Sequence, residues 1–206
     1  MNEKDKKQTI DRYNKKFERF GKSVESLGWS GGEKSQNQRF KTICEIGIQD
    51  GHSILDVGCG FGTFFQFLKN KYTNLNYTGV DINQKFIDIA QADFEDAVFL
   101  KKDILTDKID FKYDWVVASG IFNTILKHEN NIIYLDEMIK KMYSLSTMGI
   151  AIDFMHEFVD YKSEGSFHVK MNDIFSIIRP MTTVINLRMD YLNYECMFHI
   201  YKPKIL

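Results

Sequence analysis

From His52 onward, short runs rich in β-branched or aromatic residues alternate with stretches of helical periodicity, and this alternation constrains the fold more than any other feature. Residues 53–57, 77–81, 97–100, 115–119 and 149–154 read as strands, and residues 63–71, 84–92 and 131–143 as helices. Parallel strands need a crossover between them, which a helix usually supplies, so the pattern predicts βαβ units on a sheet covered on both faces. The last two strand-like runs, 183–189 and 194–201, flank a short turn at 190–193 and predict an antiparallel hairpin.

Ahead of this region Ile10, Tyr13, Phe17, Phe20, Val24 and Leu27 recur at steps of three and four, which predicts one amphipathic helix with a solvated charged face. Ser30-Gly31-Gly32 interrupts it, and a second helix is expected from about 36 to 46 with Phe40 and Ile43 inward. The chain thus divides into an N-terminal helical lid, 1–50, and one globular unit, 51–206. A length of 206 residues suffices for one well-buried core and leaves little room for a second. A net charge of −1 gives no general attraction to phosphate backbones, so a small molecule is the expected partner and nucleic acid is not. Cys44, Cys59 and Cys196 are too few and too scattered for a disulfide framework or a zinc site, which suits a reducing cytoplasm. No apolar run nears the roughly 18 residues of a bilayer span, and the opening MNEKDKK is unlike a signal peptide. The expectation is a cytoplasmic protein with no membrane partner.

Residues 54–62, Ile-Leu-Asp-Val-Gly-Cys-Gly-Phe-Gly, place a buried strand before a glycine-rich turn that opens a helix. Glycine is needed where φ is positive or where a ligand meets the backbone, and a helix start offers free N–H groups. A dinucleotide loop reads G-x-G-x-x-G/A, whereas Thr63 stands at the third position here. Asp56, two residues before Gly58, would repel a pyrophosphate and favour a ligand carrying an ammonium or sulfonium; its alternative role is to bond loop N–H groups. Asp81 ends the next strand, where adenosine sites place an acid for the ribose hydroxyls, or else it caps the helix that follows, a task for which Asn83 is better placed. Asp103 follows the third strand and could accept from an adenine amino group or serve a turn.

The order strand-D-x-G-x-G, strand-acid, strand-x-x-D resembles the class I, Rossmann-like S-adenosylmethionine (SAM)-dependent methyltransferases, from about residue 52 to the C-terminus. The resemblance implies an α/β three-layer sandwich with a seven-stranded, mostly parallel sheet in order 3-2-1-4-5-7-6, strand 7 antiparallel. It implies methyl transfer from SAM, leaving S-adenosylhomocysteine (SAH). It puts Gly58, Cys59 and Gly60 under the methionine part of SAM, Asp81 with Ile82 at the ribose, Asp103 with Ile104 around adenine, and Ser119 and Gly120 beside the cofactor. Leu27-Gly28-Trp29-Ser30, Gln38-Arg39-Phe40 and residues 118–123 are similar to a bacterial small-molecule subgroup. In related enzymes an arginine ahead of the first strand can pair with the SAM carboxylate, which makes Arg39 a candidate, a surface ion pair being its alternative. Trp29 is a candidate to close the pocket or a packing residue.

Methyl transfer from a sulfonium is an in-line displacement, so alignment in a dry pocket is the protein's main task. Where a base is used, His156 is best placed, two residues past Phe154 at the carboxyl end of the sheet, although a loop histidine is often only solvated. Asn123, Asp153, Glu157 and His168 are the other candidates, and His52 lies at the wrong end. No Asn/Asp-Pro-Pro-aromatic run follows the fourth strand, which argues against DNA and translation-factor substrates. Asp153, His156 and Glu157 make too weak a set to expect a metal. Residues 155–169 are expected to form a mobile substrate loop pivoting at Gly165. The resulting expectation is a monomeric or homodimeric enzyme that methylates oxygen or nitrogen of a small metabolite. A non-catalytic SAM-binding partner subunit and an NAD-dependent oxidoreductase are the competing readings.

Overall fold

The computed structural model describes residues 1–29 and 31–203; Ser30, part of the expected break, lies outside them. Helix α1 (Glu3–Phe20) starts at Asn2, whose side chain accepts from the Lys4 N–H, and ends at Gly21, where φ is 63°. The helix therefore stops short of Val24 and Leu27, which fall in the turn beyond, and Phe20 is 43% exposed rather than buried. Helix α2 (Gly32–Cys44) begins earlier than expected and buries Phe40 and Ile43.

The βαβ region follows as β1 (Ser53–Val57), α3 (Thr63–Lys69), β2 (Asn76–Asp81), α4 (Gln84–Asp93), β3 (Val98–Lys101), β4 (Tyr113–Ala118), α5 (Asn131–Leu145) and β5 (Ser146–Met155). A short helix, α6 (Met171–Ile178), then leads to β6 (Ile185–Arg188) and β7 (Glu195–Tyr201). The strands form one sheet in order 3-2-1-4-5-7-6, parallel except where β7 runs against β5 and β6. The doubly wound sheet and its terminal hairpin are as expected; α6 had no counterpart in the sequence reading.

Side chains alternate across each strand, so the sheet feeds two cores. Leu55, Val116, Ile150, Ile152 and Phe198 face α5 and α6, while Ile54, Trp115, Val117, Ala151 and Met197 face α2, α3 and α4. Each fully buried Leu, Ile or Phe contributes about 1.5–3 kcal/mol, and the central strands supply many of them at 0% exposure. Helix α2 belongs to the second core through Phe40, Ile43 and Cys44. It is thus a wall of the sandwich, and it shares the cavity at the carboxyl ends of the strands, through Gln36, Phe40 and Ile43, with α1 and the turn after it. The chain moves outward from β1 to β3 and returns to β4 on the other side of β1, which leaves a crevice where ligands of open α/β sheets bind.

Candidate active site

The glycine loop after β1 is pinned by backbone. The Val80 carbonyl accepts from the N–H groups of Gly58 (2.7 Å) and Cys59 (3.1 Å), so the loop turns back over the end of β2. Gly58 and Gly60 have φ of 78° and 56°, a region costly for other residues. A Cβ on Gly58 would run into Ile121, and one on Gly60 would lie 2.9 Å from Leu27. Leu27 of the turn after α1 is thereby seated on the loop.

Three carboxylates gather along this side of the crevice. Asp81 accepts from the N–H groups of Gly60 (3.0 Å) and Asn83 (2.8 Å), so it ties the loop to the end of β2. Asn83, not Asp81, caps α4. Asp56 bonds no loop N–H among the described residues; its partner is the Tyr77 hydroxyl at 2.5 Å. Burial pushes the Asp56 carboxyl up to about 7, the Tyr77 bond opposing and the Asp81 charge adding to it. Burial likewise raises Asp81, opposed by its backbone N–H donors. Asp103, after β3, accepts from the Leu105 N–H at 3.0 Å and meets Lys6 of α1 at 2.9 Å.

A buried charge network supports the far side. Asp153 on β5 accepts from the Ser119 hydroxyl and from the Gly120 N–H (2.7 Å), which fixes the backbone at the end of β4. Arg39 of α2 donates through Nε (2.6 Å) and Nη2 (2.5 Å) to both oxygens of Glu195 and lies 4.0 Å from Asp153. Burial alone would lower Arg39, but these two carboxylates hold it firmly protonated. Burial and mutual repulsion raise Glu195, opposed by the bonds from Arg39. The guanidinium also lies 4.2 Å from the centre of the Trp29 ring, and that ring packs so closely on Gly120 that no Cβ would fit there.

Helix α1 roofs the crevice. Phe17 meets Phe61 at 5.7 Å and Phe86 at 6.3 Å, and Tyr13 meets Phe86 at 6.1 Å, between ring centres. Beyond these contacts its fastenings are polar: Asp5 accepts from the N–H groups of Lys127 (2.8 Å) and His128 (3.0 Å), and Arg12 donates to Thr124 (2.7 Å).

The cavity is lined, among others, by Trp29, Asp56, Gly58, Cys59, Gly60, Asp81, Ile82, Asp103, Ile104, Ser119 and Gly120. Every residue named for cofactor binding is thus brought together except Arg39, which is spoken for by Glu195 and does not line it. His156 does not line it either. It is buried, its main chain paired with Val169 and Tyr194, its Nδ1 without a hydrogen-bond partner. Burial, with His168 nearby, lowers its affinity for a proton. Asn123 is occupied holding the Met155 N–H, Glu157 the Met171 N–H at the start of α6, and His168 the His156 carbonyl. Residues 155–169 are tied to 123–125 by backbone bonds from Ile125 and Phe167, while Phe158 and Tyr161 stay exposed. Among the described residues no group of three or more His, Cys, Asp or Glu could hold a metal, and no helix is long and apolar enough to cross a membrane. Sequence reasoning missed Tyr77, Glu195, Asp5 and Lys6, whose roles come from partners far away in the chain.

Residues 55–149 match the family model described as "Methyltransferase domain". Over 85 residues, 40% of this chain and 49% of the relative, the sequence is 36% identical to a protein of Mycobacterium tuberculosis named as a methyltransferase. Over 89 residues, 41% of this chain and 29% of the relative, it is 36% identical to a ribosomal-protein methyltransferase of Dictyoglomus turgidum. The matches span about half or less of the length of these curated relatives. In fold, the chain is similar to magnesium protoporphyrin IX methyltransferase from Synechocystis PCC 6803, solved with bound SAM, at a TM-score of 0.71 and 18% identity over 97% of both chains.

Proposed function

We propose that this chain, which carries a class I, Rossmann-like methyltransferase domain, is a SAM-dependent enzyme that methylates an oxygen or nitrogen of a small metabolite. One observation carries the reading: Asp56, Asp81 and Asp103 stand beside the glycine-rich loop in one cavity at the carboxyl ends of β1, β2 and β3. That donor set fits a ligand with an adenosine body and a cationic end. Asp81 would accept the ribose hydroxyls, Asp103 the adenine amino group, and Asp56 would face the positive charge across the loop. Bound SAM supplies the activated methyl group on a sulfonium. The protein's part is to align the acceptor, with Gly120 held by Asp153 and Trp29 closing the side, while α1 keeps water out. His156 as general base is not favoured by its burial away from the cavity, so the acceptor is read as one that needs little help to lose a proton.

The small-molecule class is supported by the roof of α1 over the cavity, by the chain's balanced charge and by the small acceptor named for the Synechocystis enzyme. The ribosomal-protein relative is the reason to test it. A cytoplasmic setting fits three free cysteines, all buried. Calorimetric titration with SAM and SAH is the direct test: both bind, and Asp81→Ala weakens both severely. No binding by the intact chain, or binding indifferent to Asp81→Ala, overturns the proposal. Incubation with labelled SAM and a metabolite extract, followed by mass spectrometry, would identify the acceptor.

A further inference from the structure

Outside the cavity, a second depression runs between α1 and residues 124–127. Arg12, Lys15, Lys16 and Arg19 of α1 line it, with Lys127 opposite. Among the described residues none of these five cations forms an ion pair with a carboxylate. Two acids also line it, Asp5, engaged by two backbone N–H groups, and Asp11, which forms no ion pair, so cations outnumber carboxylates five to two. In a chain of net charge −1 this is a local concentration of positive charge.

The cations also repel one another. Arg12 stands three and four residues from Lys15 and Lys16, which stand four and three from Arg19, spacings at which like charges destabilise a helix. The helix dipole offsets this only in the last turn, at Arg19. Lys16, half-buried, is shifted toward its neutral form by burial first and by the Arg12 charge second. Arg12 Nε is buried with no hydrogen-bond partner, although Nη1 reaches Thr124. Thr9, Arg12, Thr124 and Leu126 line both the depression and the cavity, so the groove and the cavity share a wall, which the Arg12–Thr124 bond crosses.

We propose that this groove is an anion subsite that holds the phosphate or carboxylate of the methyl acceptor, with Arg12 at its inner end. This rests on the methyl-transfer reading above. An anion there relieves the repulsion along α1 and gives Arg12 Nε a partner. It also draws α1 down onto the loop before α5, so that acceptor binding closes the roof.

The test is calorimetric titration of the full chain, with and without SAH, using phenyl phosphate, benzoate and neutral benzyl alcohol as probes. At least one anion is expected to bind about tenfold or more tighter than benzyl alcohol, and to weaken as salt is raised. Tighter phenyl phosphate assigns a phosphate, and tighter benzoate a carboxylate. Arg12→Gln with Lys16→Gln should lose that preference, and Arg12→Lys should keep most of it; glutamine and lysine are both good helix formers, so α1 persists. Equal binding of the neutral probe, or indifference to the double variant, overturns the proposal. Displacement of phenyl phosphate by a short single-stranded RNA that binds more tightly also overturns it, in favour of a macromolecular substrate. Anion binding without SAH binding would overturn the methyl-transfer reading and, with it, the groove's role toward a methyl acceptor, whereas SAH binding without anion binding would overturn the groove alone.

Discussion

Helices α1 and α2 both precede the sheet and both present apolar faces, yet different forces hold them. Helix α2 is fastened by burial: Phe40 meets Phe64 at 5.0 Å, Ile43 is 1% exposed, and Arg39 closes on Glu195 inside the wall. Helix α1 is fastened by three ring contacts and a set of polar links, Asp5 to two N–H groups, Arg12 to Thr124 and Lys6 to Asp103. Polar links exchange for water at a net cost of only about 0.5–1.5 kcal/mol each. Dry apolar burial has no such substitute. The difference separates a structural helix from one able to open as a local unit.

The largest effect expected from breaking this contrast lies in α2. Arg39→Ala leaves Glu195 buried beside Asp153 without its cation and should cost about 3–5 kcal/mol in urea denaturation; a loss under about 0.5 kcal/mol would place the pair outside the structural core. Deleting residues 1–28 should leave a cooperative core but weaken SAH binding about thirtyfold or more, near 2 kcal/mol. Unchanged affinity would make α1 ordinary packing.

Beneath the roof, Asp56 titrates near 7 in the fold against 3.8 as an ordinary carboxyl. A raised carboxyl keeps its proton in the fold after the unfolded chain has lost it. Its contribution to stability is therefore full below about pH 4 and is lost as pH rises through about 7. Only the ionised form attracts a cation, so SAM affinity should rise up to about tenfold between about pH 6 and pH 8, and Asp56→Asn should flatten the profile. A profile equally steep in the variant would assign it to another group. The smallest effect is at Asp5: Asp5→Ala should cost about 1 kcal/mol, because water can reach the freed N–H groups of Lys127 and His128. Hydrogen exchange should quicken in α1 and not in β1 or β4. Uniform quickening would mean that the roof and the core open together.

How much could be read in advance followed the range of the interactions. The glycine loop and the acids Asp81 and Asp103 were legible because a strand, a turn and a helix start are local and fix where the next few side chains point. Phe20 was misread because a single glycine, Gly21, ended the helix while the apolar spacing ran on to Leu27. Helix α6 was missed because two turns are too short to show a period. Arg39 was read as a partner of the SAM carboxylate or of a surface ion pair because its buried partner lies 156 residues away, and His156 as a loop residue because nothing local signals its burial.

By itself, then, the sequence determined the strand and helix alternation, the terminal hairpin and the loop with its acids, each set by periodicity and backbone preference within a few residues. Only the tertiary structure decided which cations were free. It turned Arg39 inward onto Glu195, left Arg12 facing the cavity, and made a wall of α2 and a roof of α1, because charge pairing and burial depend on what the fold brings together from distant parts of the chain.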